Sequence, residues 1–357
     1  MHKKQKATLI LNNGAEFQGY SFGYTSGTNG EVVFNTGMVG YPETMTDPSY
    51  CGQILVCTYP LIGNYGVPAQ ECEDGISTVF ESEKIHLRAL IISDYSENYS
   101  HWQASKSLSD WMTEQKIPGI YGIDTRRLTR LLREEGTMQG KIVIDPSDEP
   151  DFEDQSQMNF VSQVSVKEPV TYERGSKKIV LVDCGTKNNI ILAFLRRNIS
   201  VQRVPFDYDF NKIDADGIVL SNGPGDPKMN RATVEHVRTA LSGERPLLGI
   251  CLGSQMLALA AGADTYKLKY GHRGHNQPCN ESGTKRCFIT SQNHGYAINS
   301  ETLPEDWREW FSNDNDGTNE GLIHIAKPLF GAQFHPEASP GPDDTEFIFD
   351  MFVRAIK

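Results

Sequence analysis

No stretch of this 357-residue chain reaches the roughly 18 consecutive apolar residues that a membrane helix needs, so no membrane partner is expected. The apolar core near the N-terminus, Ala7–Leu11, is ended at once by Asn12 and Asn13. It is too short for a secretory leader, and a cytoplasmic location is the expectation. Basic stripes are missing too: the formal net charge is -12, which argues against a nucleic-acid partner. There is no P-loop, because the turn Gly223–Pro227 is too short for one, and there is no internal repeat. Cysteine is sparse and odd in number. Cys51, Cys57, Cys72, Cys184, Cys251, Cys279 and Cys287 are irregularly spaced, which excludes a secreted disulfide framework and makes most of them inert thiols.

What is present is a globular composition, with 38% hydrophobic and 22% charged residues, long enough for two domains. Residues 1–144 read as a β-rich α/β domain. Its strands are predicted in ATLILNN, EVVFNTG, QILVCTYPLIG and IHLRALIISDY, and its helices in SKSLSDWMTEQ and TRRLTRLLREEG. Residues 145–176 are acidic and without periodicity, as expected of a linker. Residues 177–357 alternate short apolar strands with helices. That pattern predicts a mixed, largely parallel sheet flanked by helices, built from βαβ units.

Within the second region, PLLGI-Cys251-LGSQMLALAAG is a strand, a sharp turn and a helix. Gly249 and Gly253 flank the cysteine and let the turn be tight, so the thiol projects above the sheet at a helix N-terminus, a setting that favours thiolate. A nucleophile needs a base, and the base needs an orienter. FGAQFHPEASPGP supplies both: Pro336 keeps the chain extended, so His335 and Glu337 point the same way. The Gly223-Pro224-Gly225 turn after a buried strand offers backbone N–H groups that, with that of Leu252, form an oxyanion hole. TSQNHGYAI is another polar turn, in which Asn293 and Gly295 are placed to hold a substrate. His294 in it is a rival base without a carboxylate at matched spacing.

GICLGSQ, SNGPGDP, SQNHGYA and FHPEASPGP together resemble the class I, triad-type glutamine amidotransferases. The first 144 residues, through GEVVFNTGMVGYPETMTDPSYCGQILVCTYPLIGNYG and GIDTRRLTRLLREEG, resemble the small subunit of carbamoyl-phosphate synthetase. YGHRGHNQPC and NDGTNEGLIH look similar to the glutaminase domain of the eukaryotic pyrimidine-pathway fusion enzyme. The resemblance implies Cys251 as nucleophile, His335 as base and Glu337 as its orienter. It further implies a glutamine pocket of Ser49, Gly223, Gly225, Leu252, Gln255, Asn293, Gly295 and Tyr296. It implies a partner, a large synthetase subunit or fused synthetase domain that uses ATP, magnesium and bicarbonate, and no cofactor or metal in this chain. The expected product is carbamoyl phosphate, for pyrimidine rather than arginine synthesis. Two positions depart from the family pattern. Ser254 stands where relatives often have His, and Tyr296 where they often have Phe. Ammonia-dependent relatives lack the nucleophilic cysteine, which this chain keeps.

Three other readings compete. A thiol protease would use the same triad on a different substrate. A non-enzymatic partner would not need it. A metal site drawn from His272, His275, Cys279, Cys287 and His294 has the spacing H-x2-H-x3-C, unlike a standard zinc module.

Overall fold

The computed structural model describes residues 5–155 and 157–356. Met1–Lys4, at the start of the N-terminal segment read above, and Ser156 of the acidic stretch lie outside the described residues. The chain divides into two compact units, one made of residues up to Cys72 and Ser77–Gln157, the other of Glu73–Ile76 and the chain from Met158 onward.

The first unit is a closed barrel. In chain order its strands are β1 (Lys6–Leu11), β2 (Glu16–Gly23), β3 (Thr28–Asn35), β4 (Gln53–Cys57), β5 (Ala89–Ile91), β6 (Pro118–Tyr121) and β7 (Met138–Val143). Around the barrel they run β1-β7-β3-β4-β5-β6-β2. Closure removes every edge strand. β1 shows why these residues form strands: Ala7, Leu9 and Leu11 are buried while the residues between them are not. Helix α1 (Tyr41–Thr46) follows β3, and α2 (Leu108–Glu114) starts where the Ser107 hydroxyl accepts from the Asp110 N–H. α3 (Thr125–Glu135) is capped by Asp124, buries Leu128 and Leu132, and stops at Gly136, whose φ of 101° suits glycine.

The second unit is a 10-stranded sheet. Its strands are β8 (Val170–Tyr172), β9 (Lys177–Asp183), β10 (Ile199–Pro205), β11 (Gly217–Leu220), β12 (Leu247–Ile250), β13 (Asp264–Glu281), β14 (Cys287–Asn299), β15 (Trp307–Asn313), β16 (Asn319–His324) and β17 (Leu329–Ala332). Their order is β8-β10-β9-β11-β12-β17-β16-β15-β13-β14. β10, β9, β11, β12 and β17 are parallel, and the remaining strands join antiparallel. The sheet is therefore mixed, with its parallel pairing confined to those five strands. Helices α4 (Asn188–Arg196), α5 (Arg231–Ala240), α6 (Leu252–Ala261) and α7 (Phe347–Ala355) carry apolar side chains into two cores, one around Ile191, Phe194, Phe349 and Phe352, the other around Val180, Leu220, Val237 and Met256. No described helix is long and apolar enough to cross a membrane.

The acidic segment differs from the expected linker. Residues 158–176 are built into the second unit: Val161 is fully buried there, and β8 pairs antiparallel with β10. A three-residue strand and a single helical turn, Val161–Val164, are too short to show a period in sequence.

Candidate active site

Four neighbouring parallel strands, β9, β11, β12 and β17, end on the same side of the sheet, where α/β folds place their sites. The residue runs that follow them deliver Lys187, Gly223, Cys251, and His335 with Glu337.

Cys251 links β12 directly to α6. Its φ of 52° and ψ of -107° are a conformation that L residues avoid, and a backbone of this kind costs about 1–3 kcal/mol. The surroundings hold it there: the Cys251 N–H donates to the Ala332 carbonyl at 2.8 Å, and the Cys251 carbonyl accepts from Ser254 and Gln255. The flanking glycines follow from close approach. A Cβ on Gly253 would stand 2.2 Å from the Leu220 carbonyl oxygen, and one on Gly249 would stand 2.6 Å from the Gly253 backbone. Both obstacles are main chain, which cannot swing aside. Gly253→Ala is accordingly expected to cost at least about 2 kcal/mol, a fall in melting temperature of roughly 4–8 °C, measured by calorimetry against the native chain.

The Cys251 side chain is 2% exposed. Its Sγ lies 3.7 Å from the Asn293 carbonyl oxygen and 3.6 Å from Gln333 Nε2, which points an N–H at the sulfur. His335 Nδ1 stands 2.7 Å from Glu337 Oε1. The other ring nitrogen, Nε2, has no hydrogen-bond partner among the described protein atoms, and Cys251 acts on the ring's charge. Glu337 Oε1 also takes an ion pair from Lys187 Nζ at 3.0 Å, and the same Nζ donates to the Ala338 carbonyl at 2.6 Å. Lys187 and Glu337 have 3% and 0% of their side chains exposed, so this is a buried ion pair directly behind the imidazole.

The charges follow. Burial works against a positive His335, but the Glu337 carboxylate overrides it and holds the imidazole well above its usual range, with Lys187 trimming the effect and Cys251 adding to it. Burial pushes Glu337 up, and Lys187 and then His335 more than reverse this, leaving its carboxyl below the usual range. His275 is held down at about 4 by burial, with the charges on Lys187 and His335 in support.

The predicted pocket residues are placed as follows. Gly223 abuts Leu252: a Cβ on it would meet the Cys184 carbonyl at 2.0 Å and the Leu252 side chain at 2.9 Å. The Gln255 amide donates to the Tyr296 carbonyl at 2.8 Å and to Gln333 Oε1 at 3.0 Å, tying α6 to β14 and to the segment after β17. Asn293 presents its carbonyl to the sulfur, and Gly295 lies against Arg273. Gly225, with φ of 85°, packs near Phe160, and no described contact brings it to the cysteine. Ser49 belongs to the first unit, where it is buried in a short turn and its N–H donates to Asp47. Ser254 is fully buried on the sheet side of α6, facing Gly331, with its hydroxyl unpartnered.

One reason given for setting His294 aside is overturned, because Glu320 of β16 comes within 3.6 Å of its Nε2. The ring that acts on Cys251 is nevertheless that of His335. Two residues escaped sequence reasoning. Lys187 sits in a turn with no pattern around it. Gln333 had a weak signal, its place two residues before the predicted base at the end of β17. Gln333→Leu is expected to lower catalytic turnover roughly tenfold, the equivalent of one hydrogen bond to the sulfur, and to cost about 1–3 kcal/mol of stability, because the buried Gln255 amide loses its acceptor Gln333 Oε1, as calorimetry would show.

Two family descriptions match the chain side by side, "Carbamoyl-phosphate synthase small chain, CPSase domain" over residues 9–142 and "Glutamine amidotransferase class-I" over residues 180–355. The chain is 53% identical to "Multifunctional protein CAD" of Squalus acanthias, over 98% of this chain and 16% of that protein. It is 48% identical to "Multifunctional protein pyr1-3" of Dictyostelium discoideum, over 98% of this chain and 17% of that one. It is 47% identical to "Carbamoyl-phosphate synthase (ammonia), mitochondrial" of Homo sapiens, over 99% of this chain and 24% of that one. The chain thus spans between about a sixth and a quarter of the length of these relatives. With both domains matched in order and nearly the whole chain aligned, this protein belongs to the family of carbamoyl-phosphate synthase small chains that carry a class-I glutamine amidotransferase domain.

Proposed function

We propose that this chain hydrolyses the side-chain amide of L-glutamine and supplies the ammonia to a carbamoyl-phosphate synthetase. The observation that carries the reading is Cys251 on a strained strand-to-helix turn, beside an imidazole whose far nitrogen is held 2.7 Å from a buried carboxylate.

His335 takes the Cys251 proton, and the sulfur attacks the amide carbon. Backbone N–H groups of Gly223 and Leu252 carry the oxyanion, each worth about 3 kcal/mol. His335 then protonates the departing nitrogen, which leaves as ammonia, and a glutamyl thioester remains. Water, deprotonated by His335, cleaves the thioester to glutamate and restores the thiol. Gln255, Asn293, Gly295 and Tyr296 form the wall that holds the rest of the glutamine, with Gly223 and Gly225 completing the pocket. The chain has no phosphate-binding loop, so ATP, magnesium and bicarbonate belong to the synthetase. Pyrimidine rather than arginine synthesis is favoured by the similarity to multifunctional proteins.

The test is substrate choice. Purified protein is expected to release glutamate from free glutamine, faster when the synthetase is added, and to leave glutamine within peptides intact. Robust peptide cleavage, or no glutamate release in the assembled complex, would overturn the reading.

A further inference from the structure

The wall of the second unit that carries Asn293 and Tyr296 encloses side chains with no part in the reaction above. His272 on β13 and His294 on β14 are partners in register, with ring centroids 5.0 Å apart. Glu320 of β16 reaches them both. All three are buried, Glu320 completely, and one ligand atom from each lies within 4.8 Å of the others.

Each imidazole is anchored through one nitrogen. His272 Nε2 lies 2.9 Å from Asp316 Oδ2, and His294 Nδ1 lies 2.9 Å from the Tyr296 carbonyl oxygen. These acceptors take the ring protons. The other nitrogen of each ring then turns inward. His272 Nδ1 is 3.0 Å from Glu320 Oε1. His294 Nε2 is 3.2 Å from Gln292 Oε1 and 3.6 Å from Glu320 Oε2, an oxygen without a hydrogen-bond partner among the described residues. Gln292 is not free to turn its amide, since its Nε2 contacts Thr290 Oγ1 at 3.0 Å and Cys279 Sγ at 3.2 Å. With neutral rings, two ring nitrogens face carboxylate and amide oxygens, and the Asn313 amide, 3.4 Å from His272 Nδ1 and 3.2 Å from Glu320 Oε1, is a weak donor shared between the two on one side only. Such a centre is balanced by two further protons or by one divalent cation.

We propose that His272, His294 and Glu320, with Gln292 in reach, bind a single divalent transition-metal ion of the zinc type. The donor set of two imidazoles and a carboxylate suits zinc. The outer acceptors, a carboxylate on one ring and a backbone carbonyl on the other, are those that orient metal-bound histidines. Inner separations of 3.0 and 3.6 Å bracket the roughly 3.4 Å edge of a tetrahedron with bonds of about 2.1 Å. The ion would tie β13, β14 and β16 together and fix the Tyr296 carbonyl that Gln255 also grips. His275, Cys279 and Cys287, grouped with these histidines by sequence, are outside the donor set: Cys287 is exposed, Cys279 is engaged by Thr290 and the Gln292 amide, and His275 lies by Lys187 and His335.

The experiment uses the full chain with Cys251→Ser, which removes the competing thiol of the reaction site. After chelator treatment it is dialysed against zinc alone, and bound metal is counted. One ion per chain is expected, together with a rise in melting temperature, and both are expected to disappear in Glu320→Gln and His272→Gln. Cobalt in place of zinc is expected to give a visible spectrum without a thiolate charge-transfer band, a readout that does not require the variants to fold. No bound zinc and no thermal shift, an ion retained in both variants, or a thiolate band would each overturn the proposal and leave protonated histidines as the balance.

Discussion

Replacing Cys251 with serine is expected to lower glutamate release from glutamine by at least about a thousandfold, while ammonia-dependent synthesis in the assembled enzyme persists. The substitution keeps the shape of the side chain and the strained turn, so folding should be little changed. What disappears is acidity. A serine hydroxyl gives up its proton far less readily than a thiol, and the added basicity that Glu337 lends His335 does not close that gap. Paired assays with glutamine and with ammonium salt decide the matter. Glutamine use that survives the change would remove Cys251 from the chemistry.

Glu337→Gln is expected to combine a rate loss with a loss of stability. The variant removes one member of a buried ion pair, the carboxylate 3.0 Å from Lys187, a change that typically costs about 3–5 kcal/mol. It also removes the acceptor that fixes the His335 ring, so turnover should fall by roughly a hundredfold to ten-thousandfold. The stability loss should depend on pH, with a definite sign. Glu337 is held below its ordinary value, so its contribution is present above that value and is lost as pH falls through the depressed one. His335 is held above its ordinary value, so its contribution is present below that value and is lost as pH rises through the raised one. The gap between native and variant chains is therefore widest between the ordinary carboxylate and imidazole values, 4.5 and 6.5, and closes towards both extremes. Urea unfolding of both proteins across a pH series measures it, and a gap that ignores pH would count against the Lys187–Glu337–His335 arrangement.

Much of this molecule can be read before its structure is known, for physical reasons that differ by element. The helices Leu108–Glu114, Thr125–Glu135 and Leu252–Ala261 combine apolar periodicity with clear stops such as Gly136 and Gly262. The strand before Cys251 is a short, fully buried apolar run, and the glycines beside it are demanded by main-chain contacts that the pattern implies. His335 and Glu337 meet, but not by the alternation expected of an extended chain: Pro336 and Glu337 form a turn, closed by the Ala338 N–H on the His335 carbonyl at 3.1 Å, which folds the carboxylate back onto the ring. Other features depend on distant partners. β13 runs from Asp264 to Glu281 through glycines, charges and a proline, and it exists because β14 and β15 pair with it. Barrel closure is a matter of register between strands far apart in sequence. Lys187 becomes a site residue only when the ends of β9 and β17 come to the same side of the sheet. The folding of residues 158–176 into the second unit depends on a few contacts such as that of Val161, which composition does not reveal.

The order of strands in the second unit has one more consequence. Cys251 and Gly223 follow strands paired on both flanks, whereas Asn293 and Tyr296 lie on β14, the last strand of the sheet, which pairs with β13 and is tied back by a main-chain bridge from Ser291 to His335. The Gln255 amide adds a second tie at the Tyr296 carbonyl. The proposed substrate wall and the proposed base are thus mechanically coupled, and a displacement of the sheet margin would be felt at the imidazole.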